Sequence, residues 1–123
     1  MAKVLIVEDD TLLSKILQKR FEAVGLETRV AFDGVIGEHV IKSWHPNLVL
    51  LDLLLPNMDG FELMKIVRSD PKTAKTHIVI LSNLNDKESI DRAKELGVTE
   101  FVTKSSTTPD LIAERIAEML HKK

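Results

Sequence analysis

Short continuous apolar runs alternate along this chain with longer stretches in which apolar residues recur every three or four positions. Residues 4–7, Val-Leu-Ile-Val, contain nothing polar, the pattern of a strand covered on both faces, and the run stops at Glu8-Asp9-Asp10. Leu12, Leu13, Ile16, Leu17, Phe21 and Val24 then keep helical spacing, which predicts an amphipathic helix capped by Asp10 or Thr11 and ended by Gly25. Residues 28–32 predict a second strand, and Val35, Ile36, Val40 and Ile41 a second helix that stops before Pro46. A third strand over 48–52 is four apolar residues closed by Asp52, and Phe61, Leu63, Met64, Ile66 and Val67 mark a third helix starting near Asp59-Gly60. After a loop at Asp70-Pro71, residues 78–81 predict a fourth strand ending at Ser82. Asn85 or Asp86 caps a fourth helix carrying Ile90, Ala93 and Leu96, which Gly97 closes. Phe101 and Val102 form a short fifth strand ending at Thr103-Lys104; Thr108-Pro109-Asp110 opens a last helix whose buried face is Leu111, Ile112, Ile116, Met119 and Leu120.

Five strands alternating with five helices predict an α/β fold: a doubly wound parallel sheet with helices on both faces, each return to a parallel strand being a right-handed crossover. There is no repeat, linker or low-complexity stretch, so residues 1–123 are expected to be one domain, with no output domain among them. In such sheets ligands collect beyond the carboxyl ends of the strands. Glu8-Asp9-Asp10, Asp52, Ser82 and Lys104 stand just past strands one, three, four and five, so four strands deliver polar groups to one rim.

Composition narrows the function. With 44% hydrophobic and 29% charged residues the chain has the make-up of a folded globular protein. A formal charge of −2 argues against direct binding of nucleic acid. No apolar run approaches the ~20 residues needed to cross a bilayer, and the N-terminus lacks the pattern of a signal peptide, so no membrane partner and a cytoplasmic location are expected. The absence of cysteine removes disulfides and thiolate metal sites. His39, His45, His77 and His121 show no metal-ligand spacing; Trp44 reads as packing near a helix end, and Lys15, Lys19 and Arg20 as a solvated helix face.

The rim has a chemistry of its own. An ionised carboxylate at the end of a buried strand is tolerated only where it is paired, hydrated or bound to metal. Glu8, Asp9 and Asp52 within a few ångströms would repel unless a cation sat among them. A hard divalent ion with oxygen ligands, Mg2+ above all, answers this. Lys104 adds a fixed positive charge and Ser82 a hydroxyl donor. In that setting Asp52 can act as a nucleophile toward phosphorus, giving an aspartyl phosphate. Each residue alone has a plainer reading: Asp9 as a helix cap, Ser82 as a loop hydroxyl, Lys104 as a surface lysine, Phe101 as core. Their joint placement at successive strand ends favours the functional one, while Asp10 is assigned to capping.

These residues resemble the receiver domain of bacterial two-component response regulators over nearly the whole chain. The markers are Val-Leu-Ile-Val-Glu-Asp-Asp at 4–10, Leu-Leu-Asp-Leu-Leu-Leu-Pro-Asn-Met-Asp-Gly at 50–60, Ile-Leu-Ser at 80–82 and Phe-Val-Thr-Lys at 101–104. The resemblance implies a flavodoxin-like sheet in the order 2-1-3-4-5, as in a single-domain chemotaxis-type regulator. It implies Asp52 as phosphoacceptor, Lys104 and Ser82 as its helpers, and Ser82 with Phe101 as the switch pair. Mg2+ would be held by Asp9, Asp52 and the backbone carbonyl of Leu54, with Glu8 acting through water. The implied partners are a sensor histidine kinase or histidine phosphotransfer protein, docking over residues 11–24 and 105–108, and a downstream target. A phosphorylation-dependent dimer is also admitted. The response would pass to the face made by the fourth helix, fifth strand and fifth helix.

Three departures qualify the resemblance. Ser105 follows Lys104 where the family has proline in a cis bond, and a cis bond before a non-proline costs about 2.5–4 kcal/mol, so a trans bond is expected. The aromatic is Phe101, without a hydroxyl. Leu54 and Leu84 occupy positions that tune hydrolysis in the family, and neither can orient water, which implies a slow loss of the phosphoryl group. Among competing functions, a phosphohydrolase of the haloacid dehalogenase type needs a second Asp where Leu54 stands. A flavodoxin-like nucleotide or flavin binder needs a phosphate loop where Glu8-Asp9-Asp10 would repel phosphate. A phosphorylation-independent scaffold has no need of the intact acidic set and lysine.

Overall fold

The computed structural model describes residues 1–121 and contains five strands and five α-helices in alternation. They are β1 (Lys3–Val7), α1 (Thr11–Ala23), β2 (Glu27–Ala31), α2 (Gly34–Trp44), β3 (Leu48–Leu51) and α3 (Gly60–Ser69). The chain continues through β4 (His77–Ser82), α4 (Lys87–Glu95), β5 (Glu100–Thr103), a 3-10 turn (Lys104–Ser106) and α5 (Pro109–His121). The strands form one parallel sheet in the order β2-β1-β3-β4-β5. The fold class is that expected from the sequence pattern, and the strand order is the one the resemblance implies. The expected domain, 1–123, takes in Lys122 and Lys123, which lie outside the described residues.

Period-two alternation in the central strands divides the core in two. Leu5, Val7, Val49, Leu51, Ile78 and Ile80 point to one face, where Ile41, Trp44, Phe61, Leu63, Met64, Val67 and Ala93 of α2, α3 and α4 cover them. Val4, Ile6, Leu48, Leu50, Val79 and Leu81 point to the other, against Leu17 and Phe21 of α1 and Ile112, Ala113 and Ile116 of α5. Burial on both faces is why β3, and β1 after Lys3, are written without polar residues. Strand β2 lies at the edge and exposes alternate residues.

Caps form as the sequence predicts in α1, where Asp10 accepts from the N–H groups of Leu12 and Leu13, and in α4, where Asp86 accepts from Ser89. Gly25 and Gly97 end these helices at φ +88° and +74°. The second helix differs from expectation. Its buried stripe is Gly34, Gly37, Ile41 and Trp44, so Val35 and Ile36 face outward, and β2 ends at Ala31 and leaves Phe32 exposed. The reason is close packing: a Cβ on Gly34 would lie 2.5 Å from the Met58 carbonyl oxygen, and one on Gly37 3.3 Å from Val7 and Leu63. Counting apolar residues misses a buried stripe built partly of glycine. Leu12 and Leu111, expected on buried faces, are likewise exposed.

Arg68 is a structural residue that the hydrophobic pattern does not reveal. From α3 it donates to the carbonyls of Ala74 and Thr76 in the next loop and of Leu96 and Gly97 at the end of α4. At the opposite end of the sheet from the carboxyl rim, Trp44 is buried beneath Lys3 and Arg29, 5.4 and 4.6 Å from its ring centroid.

Replacing Gly by Ala inside a helix ordinarily gains about 1 kcal/mol. At Gly34 and Gly60 the sign reverses, because the new methyl group meets backbone at 2.5 and 2.7 Å. Gly34→Ala and Gly60→Ala are each expected to lower unfolding free energy by ~1–3 kcal/mol in urea titrations. An unchanged or raised midpoint would contradict this packing.

Candidate functional site

Backbone pairing places the acidic residues. The Glu8 N–H donates to the Ala31 carbonyl and the Asp52 N–H to the Val7 carbonyl, both at 3.0 Å, so the ladders run one residue beyond the strands. Glu8 and Asp52 thereby stand side by side at the carboxyl end of the sheet. The 3-10 turn after β5 starts at Lys104, whose ammonium Nζ lies 2.6 Å from Glu8 Oε1 and donates to Asp52 Oδ2 at 2.8 Å. The second oxygen of each carboxylate accepts a backbone N–H: Glu8 Oε2 from Asp10 at 3.0 Å, Asp52 Oδ1 from Leu54 at 3.2 Å. Asp9 is exposed, and oxygens of Glu8, Asp9 and Asp52 lie within 4.8 Å of one another.

The electrostatics follow from burial. Glu8 and Asp52 are 3% and 7% exposed. Burial pushes the Glu8 carboxyl above the usual range, opposed by the Lys104 ammonium and the Asp10 N–H, with the Asp52 charge raising it further. Burial alone would lower Lys104, but its hydrogen bonds to Asp52 and Glu8 prevail and hold the ammonium above its ordinary value. Three carboxylates cluster here, the one ammonium pairs with only two of them, and all the donor atoms are hard oxygens. That set fits a divalent cation such as Mg2+ and gives a soft metal nothing to bind.

The other expected site residues stand nearby with different partners. Ser82 ends β4, fully buried, and its hydroxyl accepts the Leu84 N–H at 3.2 Å. In register it faces Thr103, the residue before Lys104. Phe101 faces Ile80 and is half-buried against the core under α2, α3 and α4. Leu54 is exposed and meets the site through its backbone N–H. Every peptide bond among the described residues is trans, including Lys104–Ser105. The metal-capable cluster contains no histidine: His77 Nδ1 lies 3.3 Å from the Thr99 hydroxyl, and His45 ends α2 in the left-handed region.

A supporting framework escaped the sequence reading. Asp33 caps α2 by accepting the Ile36 N–H at 2.8 Å, and its other oxygen accepts from Asn57 Nδ2 at 2.9 Å. This fixes the β3–α3 loop, where Asn57 has φ +68°. Gly60 lets α3 start against that loop, since a Cβ there would lie 2.9 Å from the Asp52 carbonyl oxygen. The available signal was the repeated Asp-Gly pair, Asp33-Gly34 and Asp59-Gly60: in each, a capping carboxylate precedes a glycine at a close approach.

Comparison with known proteins agrees with this geometry. The phosphate regulon transcriptional regulatory protein PhoB of Rhizobium meliloti is 31% identical over 122 residues, which cover 99% of this chain and 53% of that protein. The DNA-binding dual master transcriptional regulator RpaA of Synechocystis is 28% identical over 122 residues, 99% of this chain and 50% of RpaA. The chain thus spans about half the length of these curated relatives. The receiver domain of the Francisella response regulator 1452 superposes with a TM-score of 0.87 at 30% identity, covering 99% of this chain and 98% of that one. The family model of the response regulator receiver domain matches residues 4–116. Since that match takes in nearly the whole sheet and most of α5, the chain belongs to the response regulator receiver family, the phosphoacceptor domains of two-component signalling.

Proposed function

We propose that Asp52 is the phosphoryl acceptor and that the donor is a histidine kinase or histidine phosphotransfer protein. One observation carries this reading: the Lys104 ammonium bridges Glu8 and Asp52 beside a third carboxylate at the carboxyl rim. In the transfer an Asp52 oxygen attacks phosphorus, the P–N bond of the phosphohistidine breaks, and its electron pair returns to the imidazole. Lys104 is placed to follow the charge from the carboxylate to a phosphoryl oxygen. Asp9, Asp52 and the Leu54 carbonyl would hold Mg2+, with Glu8 acting through water, as the resemblance implies. Bound there, the ion would offset negative charge on the phosphoryl oxygens.

Phosphorylation brings about −1.5 to −2 charges and three acceptor oxygens to the rim. On this reading the Ser82 hydroxyl gives up the Leu84 N–H and donates to the phosphoryl group. Phe101 moves inward, and the change reaches α4, β5 and α5. Helix α4 suits this part, since its fully buried residues are only Ser89 and Ala93. The domain acts in the cytoplasm with its donor, turns over no substrate beyond its own phosphoryl group, and hands the signal to a target or to a dimer. No helix among the described residues is long and apolar enough to cross a membrane.

The lifetime of the modification follows from two side chains. Leu54 and Leu84 carry no polar atom to place a water against phosphorus, so hydrolysis is slow, suited to a relay or a sustained signal.

Three outcomes are expected. Acetyl phosphate with Mg2+ labels one carboxyl, located at Asp52 by peptide mass spectrometry, and Asp52→Ala takes no label; labelling elsewhere would refute the assignment. Mg2+ at ten times its dissociation constant stabilises the wild type by ~1.4 kcal/mol in thermal melts, and Asp9→Ala forfeits most of that gain. The Leu54→Asn/Leu84→Glu double variant loses its phosphoryl group faster by about an order of magnitude or more; equal decay rates would remove the lifetime argument.

A further inference from the structure

The exposed apolar residues of this molecule are not scattered. Among the described residues seven large hydrophobic side chains are exposed: Met1, Leu12, Phe32, Val35, Ile36, Leu54 and Leu111. All but Met1 stand at the carboxyl end of the sheet. Leu12, Val35, Ile36 and Leu111 lie within the first three residues of α1, α2 and α5, Phe32 follows β2, and Leu54 lies just beyond β3. Single exposed hydrophobics are ordinary, but their concentration at one end of the sheet marks a contact surface.

The geometry points to a docking wall on the α2 side of the acceptor, formed by Phe32, Val35, Ile36 and Leu54, for the helical surface of the phosphodonor that carries the reactive histidine. This rests on the acceptor role proposed for Asp52. Three observations select that occupant. Asp52 is 7% exposed, so a macromolecular donor must seat itself on the surrounding loops to reach it. The wall is tied to the site by hydrogen bonds: Leu54 N–H to Asp52, Glu8 N–H to the Ala31 carbonyl next to Phe32, and Asn57 to Asp33 at the start of α2. The same rim carries the capping carboxylates of Asp10, Asp33, Asp59 and Asp86 together with exposed Asp9. The matching partner therefore presents aliphatic side chains within a turn of its histidine, with Lys or Arg around them. A second copy seated on this wall would cover the acceptor that the donor must reach.

The wall is new relative to the docking expected from the resemblance, which used residues 11–24 and 105–108. Its chemistry is apolar, and two of its residues open α2, which packs on the opposite face of the sheet from α1 and α5. Because Val35 and Ile36 lie on the solvent side of α2, they can be replaced without opening the core.

The test separates docking from chemistry. The full chain and a Val35→Ser/Ile36→Glu variant are phosphorylated by acetyl phosphate and, separately, by the autophosphorylated histidine kinase that transfers fastest to wild type in a panel of purified kinases. The variant should label from acetyl phosphate at the wild-type rate and lose at least tenfold in transfer from the kinase at subsaturating concentration. Ile36→Met should keep near wild-type transfer. Equal transfer to wild type and the charged variant overturns the wall while leaving Asp52 as acceptor. So does a wild-type dimer that the charged variant dissolves, in light scattering, without loss of transfer. Failure of the wild type to take label at Asp52 from acetyl phosphate overturns the acceptor reading and the wall with it.

Discussion

The Lys104 ammonium, held between Glu8 and Asp52, is the interaction on which the rest of the site depends. Bringing two buried carboxylates and a third exposed one within a few ångströms costs desolvation and repulsion, and one lysine repays only part of it. The remaining negative charge suits the rim to a divalent ion and, in the proposed function, to a phosphoryl group. The sheet supplies this arrangement by register alone. Strands β1 and β3 end level with each other, and β5 ends where a lysine can reach both. The helices serve the same end from outside. Those that start at the rim on α2 and α3 do so over glycines that let backbone approach backbone.

Much of this was legible in the sequence because it is written as pattern. Strands buried on both faces must be continuously apolar, so β1, β3 and β4 were readable, as were the polar residues that close them. Asp10, Asp86, Gly25 and Gly97 mark helix ends by chemistry that is local to the chain. The site itself could be assembled from strand ends because a parallel sheet sends all its carboxyl termini the same way.

What was not legible depends on partners far apart in sequence. The orientation of α2 is set by Gly34 and Gly37 packing on Met58, Val7 and Leu63, and no count of apolar residues weighs a glycine as core. Phe32, Val35 and Ile36 consequently read as interior and stand outside. The Asp33–Asn57 bond and the four carbonyls held by Arg68 join segments 6 to 29 residues apart. A charged residue at helical spacing looks like surface until the loops it gathers are known.

That arginine has a mechanical consequence. It ties Leu96 and Gly97, the trailing end of α4, to α3 and the loop before β4, while the body of α4 is buried only through Ser89 and Ala93. Midway along α4 the Arg92 guanidinium lies 4.0 Å from the Phe61 ring centroid and adds a contact to α3. The leading end of α4, capped by Asp86, adjoins the loop where the Ser82 hydroxyl accepts the Leu84 N–H. Under the proposed switch, a shift of that hydroxyl would reach α4 at the end that Arg68 leaves untied, with the tied end as its pivot.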